Sequence, residues 1–137
     1  MKRIFLFTLL TITLFTACKK DKDNKPAQTT LQKIQHKWNF ISSIDYNYVG
    51  MTTNLSSIDT LAIGMPGEYI DFRIDNKVYS FITGTYDTAS YSVLDDARIS
   101  VDTDTLFIST LNDNAFTLIF SERINAPYYD NVLSLSK

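Results

Sequence analysis

A single cysteine, a single histidine and four scattered glycines leave this chain of 137 residues short of most of the chemistry that marks enzymes and metalloproteins. Each scarcity excludes something. With only Cys18, no intrachain disulfide can form and no thiolate cluster can hold a metal. With only His36, no multi-histidine metal centre exists, and no nucleophile-elbow pattern accompanies it for a Ser–His pair. Gly50, Gly64, Gly67 and Gly84 lie too far apart to cradle a phosphate. The acidic pairs Asp95-Asp96 and Asp102/Asp104 fall where turns are expected, and aspartate is favoured there because its side chain caps backbone amides. Neither Asp102-Thr103-Asp104 nor Asn112-Asp113-Asn114 has the ligand count or glycine of a calcium loop. The expectation is a protein that is not an enzyme, with no cofactor and no metal site.

Long apolar runs are also missing, except at the start. Lys2 and Arg3 precede the run 4–15, which is apolar apart from Thr8, Thr11 and Thr13, and the small residues Thr16 and Ala17 lead into Cys18. A basic end, a short apolar core and a small-residue cleavage site make a secretory signal. Twelve residues are too few to span a bilayer, which takes about 20. Residues 1–17 are therefore read as a signal peptide. The following run, Lys19-Lys20-Asp21-Lys22-Asp23-Asn24-Lys25-Pro26-Ala27-Gln28-Thr29-Thr30, has no apolar residue larger than alanine. Residues 18–30 read as a flexible charged tether.

Residues 31–137 are long enough for one domain. They hold seven Lys or Arg against thirteen Asp or Glu, a formal charge of −6 that the whole-chain value of −2 hides. An acidic domain without a basic stripe excludes nucleic acid as a partner.

The hydropathy period is two. Ile70, Phe72 and Ile74 alternate with Tyr69, Asp71 and Arg73, the pattern of a strand with one wet face. Asp75-Asn76 suit a two-residue hairpin turn, which would place Phe72 opposite Tyr79 and Ile70 opposite Phe81, with Tyr79 and Phe81 inward and Val78, Ser80 and Ile82 outward. Tyr91 is expected in the core. Further strands are expected at 37–44, 60–63, 90–94, 98–101, 105–111, 115–120 and within 131–136, and a short helical turn at 31–37 with Thr30 as its cap. The segment 45–57 shows no clear period and reads as a long loop across one mouth. Tight polar turns between many short strands predict an all-β fold: a small antiparallel up-and-down β-barrel of about eight strands.

Three sets of residues carry a resemblance to known proteins. Leu14-Phe15-Thr16-Ala17-Cys18 resembles a bacterial lipobox, with Phe15 departing from its usual aliphatic or small residue, and implies that Cys18 is lipidated. The run Cys18-Lys19-Lys20-Asp21 resembles the signal that sends Bacteroidetes lipoproteins to the outer face of the outer membrane, although Lys22 separates the two acids. Leu31, Ile34 and Trp38, then Tyr69-Ile70-Asp71-Phe72-Arg73, Tyr91-Ser92-Val93-Leu94-Asp95-Asp96 and Leu111-Asn112-Asp113-Asn114, resemble the lipocalin-like domains of small Bacteroidetes lipoproteins. That resemblance implies a lipocalin-like barrel in the cell envelope. Lipocalins usually have Gly-x-Trp in the first strand, and here the glycine position is His36. They also stack a late arginine over that tryptophan, which makes Trp38 and Arg123 the implied pair.

The function expected is that of an outer-membrane lipoprotein, attached to the membrane by acyl chains on Cys18, whose barrel binds a small apolar or amphipathic ligand. The alternative is a filled barrel that contacts another envelope protein or a glycan through its loops. Tyr46, Tyr48, Tyr128 and Tyr129 lie in the less regular segments and are the candidates for ligand or partner contact.

Overall fold

A computed structural model describes residues 27–50, 52–122 and 128–137. The expected signal peptide, Cys18, most of the tether and Arg123 lie outside these residues. A helix α1 (Thr30–Ile34) is followed by nine strands: β1 (Lys37–Tyr48), β2 (Leu55–Ile63), β3 (Tyr69–Phe72), β4 (Lys77–Ile82), β5 (Thr85–Asp95), β6 (Arg98–Val101), β7 (Asp104–Leu111), β8 (Ala115–Glu122) and β9 (Tyr129–Ser136). Every pairing is antiparallel between sequence neighbours, except that β1 also pairs with β3 and with β9 and so closes the sheet.

Nine segments make an eight-stranded barrel because β2 and β3 share one edge of β1. Ser42 to Tyr48 pair with β2, and Lys37 to Asn39 pair with β3. The wall strand between them is interrupted at residues 64–68. Gly64 makes the interruption possible: its N–H donates to the Ile41 carbonyl at 2.7 Å, and a Cβ at this position would lie 1.9 Å from the Phe40 oxygen. Glu68, 5% exposed, anchors the excursion. Its carboxylate accepts from the Met65 amide at 2.9 Å and from the Thr83 amide at 2.5 Å, tying the broken strand to the β4–β5 turn.

The helix is capped by Thr29, one residue earlier than expected. Thr29 Oγ1 accepts from the Gln32 amide, and Gln32 Oε1 accepts from the Thr29 amide, so two free helix-end donors are satisfied reciprocally. Ile34, fully buried, closes one end of the barrel beneath Trp38, whose Nε1 donates to the Ile34 carbonyl at 3.0 Å.

The β3–β4 hairpin corrects the expected register. Phe72 pairs with Val78 and Ile70 with Ser80, one residue away from the expected partners. The turn holds three residues, Ile74, Asp75 and Asn76, with Asn76 at φ 61° and the Arg73 amide donating to the Lys77 carbonyl. A three-residue turn ending in a left-handed residue reverses the faces that a two-residue turn would set. Val78 is therefore buried and Ile74 is 85% exposed. Tyr79 and Phe81 lie on the outer wall: Arg73 stacks 4.1 Å above the Tyr79 ring, and the Tyr79 hydroxyl donates to Asp75. Tyr91 is in the core, as its pattern predicts.

The second correction concerns 45–57. Ordered strand covers most of it, since β1 continues to Tyr48 and β2 starts at Leu55. Its period was hidden because β1 carries a bulge between Phe40 and Ser42 where it pairs with β9. Trp38 and Phe40 face inward; beyond the bulge, inward-facing residues are odd-numbered. Ser43 and Asp45 enter the interior, and Ile44 and Tyr46 turn outward.

Candidate ligand cavity

The two ends of the barrel are built differently. At the end bearing α1, aromatic rings fill the interior. Trp38 lies 5.4 Å from Phe116, Phe116 5.6 Å from Phe72, and Phe72 meets Tyr91 edge-on at 5.1 Å. Such tilted and edge-on contacts match the ring quadrupoles. The polar tips are satisfied, with the Tyr91 hydroxyl donating to the Arg73 carbonyl at 2.9 Å. Burial pushes the Tyr91 phenol above its ordinary pKa. Ile99 and Leu118 complete this plug.

Above the plug the barrel is hollow. A cavity of about 460 Å³ is walled largely by Phe40, Ile70, Phe72, Val78, Leu118 and Leu133. Ser43, Leu61, Val101 and Leu106 line both this cavity and a second one of about 350 Å³ nearer the mouth, so the two adjoin. The mouth is more polar. Asn131 Nδ2 donates to Ser43 Oγ at 2.9 Å and to Asp45 Oδ1 at 2.7 Å, and Asp104, Phe120 and Tyr129 complete the rim. This arrangement can hold an elongated molecule with an apolar body inside and a polar end at the rim. Among the described residues, no group of three or more His, Cys, Asp or Glu is arranged to hold a metal ion.

The four tyrosines singled out from sequence come to the same end of the β1–β9 pair, and only Tyr129 lines the cavity. Tyr46 sits on the outer wall opposite Asp130. The Tyr48 hydroxyl donates to Asp130 at 2.9 Å, and its amide donates to the Tyr128 carbonyl. Of the implied pair, Trp38 is fully buried in the plug, whereas Arg123 lies outside the described residues. Among the described residues, Lys137 lies over the Trp38 ring, 5.3 Å from its centroid. The turn acids cap amides: Asp95 Oδ1 accepts from the Ala97 amide and Asp102 Oδ1 from that of Ser90; the Asn112 side chain does the same for Asn114 and Ala115. Sequence reasoning missed the Ser43–Asp45–Asn131 cluster, since an unbroken alternation from Trp38 would place Asp45 in water.

Fold and cavity define a class: a closed antiparallel β-barrel with one end plugged and the other hollow. No family model matches the chain, and no curated protein sequence matches it.

Proposed function

We propose that this protein is a lipid-anchored, lipocalin-like binding module of the bacterial cell envelope, holding a small apolar or amphipathic molecule inside its barrel. The observation that carries the reading is the cavity of about 460 Å³, which falls in the roughly 300–1,000 Å³ range of small-molecule sites and is lined mainly by apolar side chains. Attachment rests on the sequence: the apolar run 4–15 ends at Ala17-Cys18, and acyl chains on that cysteine would hold the domain on the outer membrane by a charged tether.

Titration with N-phenyl-1-naphthylamine, a neutral apolar dye that brightens out of water, tests the binding reading. The expected result is saturable fluorescence that Ala89→Leu weakens, because Ala89 lines the cavity and the added carbons take up part of it. An undiminished signal from the variant would place the dye elsewhere. For the anchor, Cys18→Ser is expected to release the protein into the soluble fraction or leave the signal uncut; membrane attachment of a processed variant would refute it.

One observation favours a partner instead. Among the described residues, β2 pairs only with β1, leaving its other edge free, and Leu55, Ile58, Leu61 and Ile63 on it are 48–63% exposed. Such an edge is a template for a further strand. An Ile58→Lys change that removed an envelope partner without altering dye binding would support that reading.

A further inference from the structure

We infer that the ligand of this barrel carries a positively charged head, as in an alkyl or aryl amine, and enters with its apolar end first. The inference rests on the binding reading above and adds the charge of the occupant. Surface aspartates are ordinarily just solvated. Asp45, half-buried, and the exposed Asp87 and Asp104 differ in that they line cavities whose remaining walls are mostly apolar. Among the described residues, none that lines either cavity is Lys, Arg or His.

The distribution of charge along the barrel points the same way. Antiparallel topology puts α1, the β3–β4, β5–β6 and β7–β8 turns and the C-terminus at the plugged end. Lys33, Lys37, Arg73, Lys77, Arg98 and Lys137, the basic side chains among the described residues, all belong to those segments. Several are engaged there: Arg73 with Asp71 at 2.7 Å, Arg98 with Asp95 at 2.6 Å and Lys37 over the Tyr69 ring at 3.7 Å. Among the described residues no cation lies at the mouth, Arg123 being outside them, and the low-dielectric walls concentrate the field of the carboxylates that line it. Asp45 is held in place by Asn131, leaving its second oxygen free of that bond. A carboxylate-headed ligand such as a fatty acid would meet this rim as a like charge, whereas an ammonium offers three donors to it.

The test is calorimetric titration of the full-length protein with octylammonium, octanol and octanoate, which share a tail and differ in head charge. At low salt octylammonium is expected to bind about tenfold more tightly than octanoate, with octanol between them, and the gap is expected to narrow as salt rises. In the Asp45→Asn/Asp104→Asn double variant, the preference for octylammonium over octanoate should be lost, and a retained preference would overturn the charge assignment. A cooperative thermal unfolding transition shows that the variant is folded. Octanoate binding as tightly as octylammonium would overturn the charge assignment and leave the binding reading standing. Failure of all three, with no saturable dye signal, would overturn both.

Discussion

The plugged and hollow ends of this barrel are made from the same strands and the same alternation, yet they do opposite things. At the plugged end the rings of Trp38, Phe116, Phe72 and Tyr91 fill the interior together with Ile34, Ile99 and Leu118, and the buried Trp38 and Tyr91 polar tips each find a carbonyl. Toward the mouth the inward positions pass to Ser43, Ser80, Ala89, Asp45 and Asn131, which are too small or too polar to meet across the interior. An eight-stranded barrel is just wide enough for large side chains to fill. Whether it is solid or hollow at a given height is therefore decided by side-chain size at that height.

The largest expected effect belongs to the plug. Phe116→Ala should destabilise the fold by about 3–5 kcal/mol in denaturant unfolding, whereas Leu106→Ala, beside the cavity, should cost less than about 2 kcal/mol because its neighbours already face open space. Equal costs would erase the distinction between the two ends. Next comes the joint between them. Gly64→Ala should cost about 1–3 kcal/mol, since the new methyl collides with the Phe40 backbone, and a melting temperature unchanged from wild type would show that the interruption can relax. Smaller still is Ala89→Leu, expected within about 1 kcal/mol of wild type while weakening dye binding; a large destabilisation would mean that the space beside Ala89 is not free to be filled.

The smallest effect is electrostatic and exposed. Arg98, followed by the Ala97 amide, holds the Asp95 carboxyl below its ordinary pKa. A carboxyl depressed in the folded state contributes stability that is present above about pH 4 and is lost as pH falls through the folded value. The shift should be visible by NMR titration, and Arg98→Gln should return Asp95 to the ordinary aspartate range with hardly any change in melting temperature at neutral pH.

Much of the barrel was legible because the hydrophobic period is local. The alternation through Ile70 and Phe72, the run Phe116, Leu118 and Phe120, and the aspartate-rich turns each predict an element that the structure contains. What escaped were single-residue changes of phase. Asn76, at positive φ, makes the β3–β4 turn three residues long and moves Tyr79 and Phe81 to the outer wall. The bulge after Phe40 sends Asp45 inward and Tyr46 outward. Neither leaves a composition signal, because one extra residue changes every subsequent facing without changing any residue type.

By itself the sequence determined that this domain would be ribbons: the apolar residues recur every second position, and no packing of helices can bury that pattern. It also determined the excess of acid over base and the lack of metal-ligand motifs. Tertiary structure alone decided which acids look inward, where the rings meet, and that a space remains above them. Those are long-range outcomes of strand register and closure between β1 and β9, set by contacts among residues far apart in the chain.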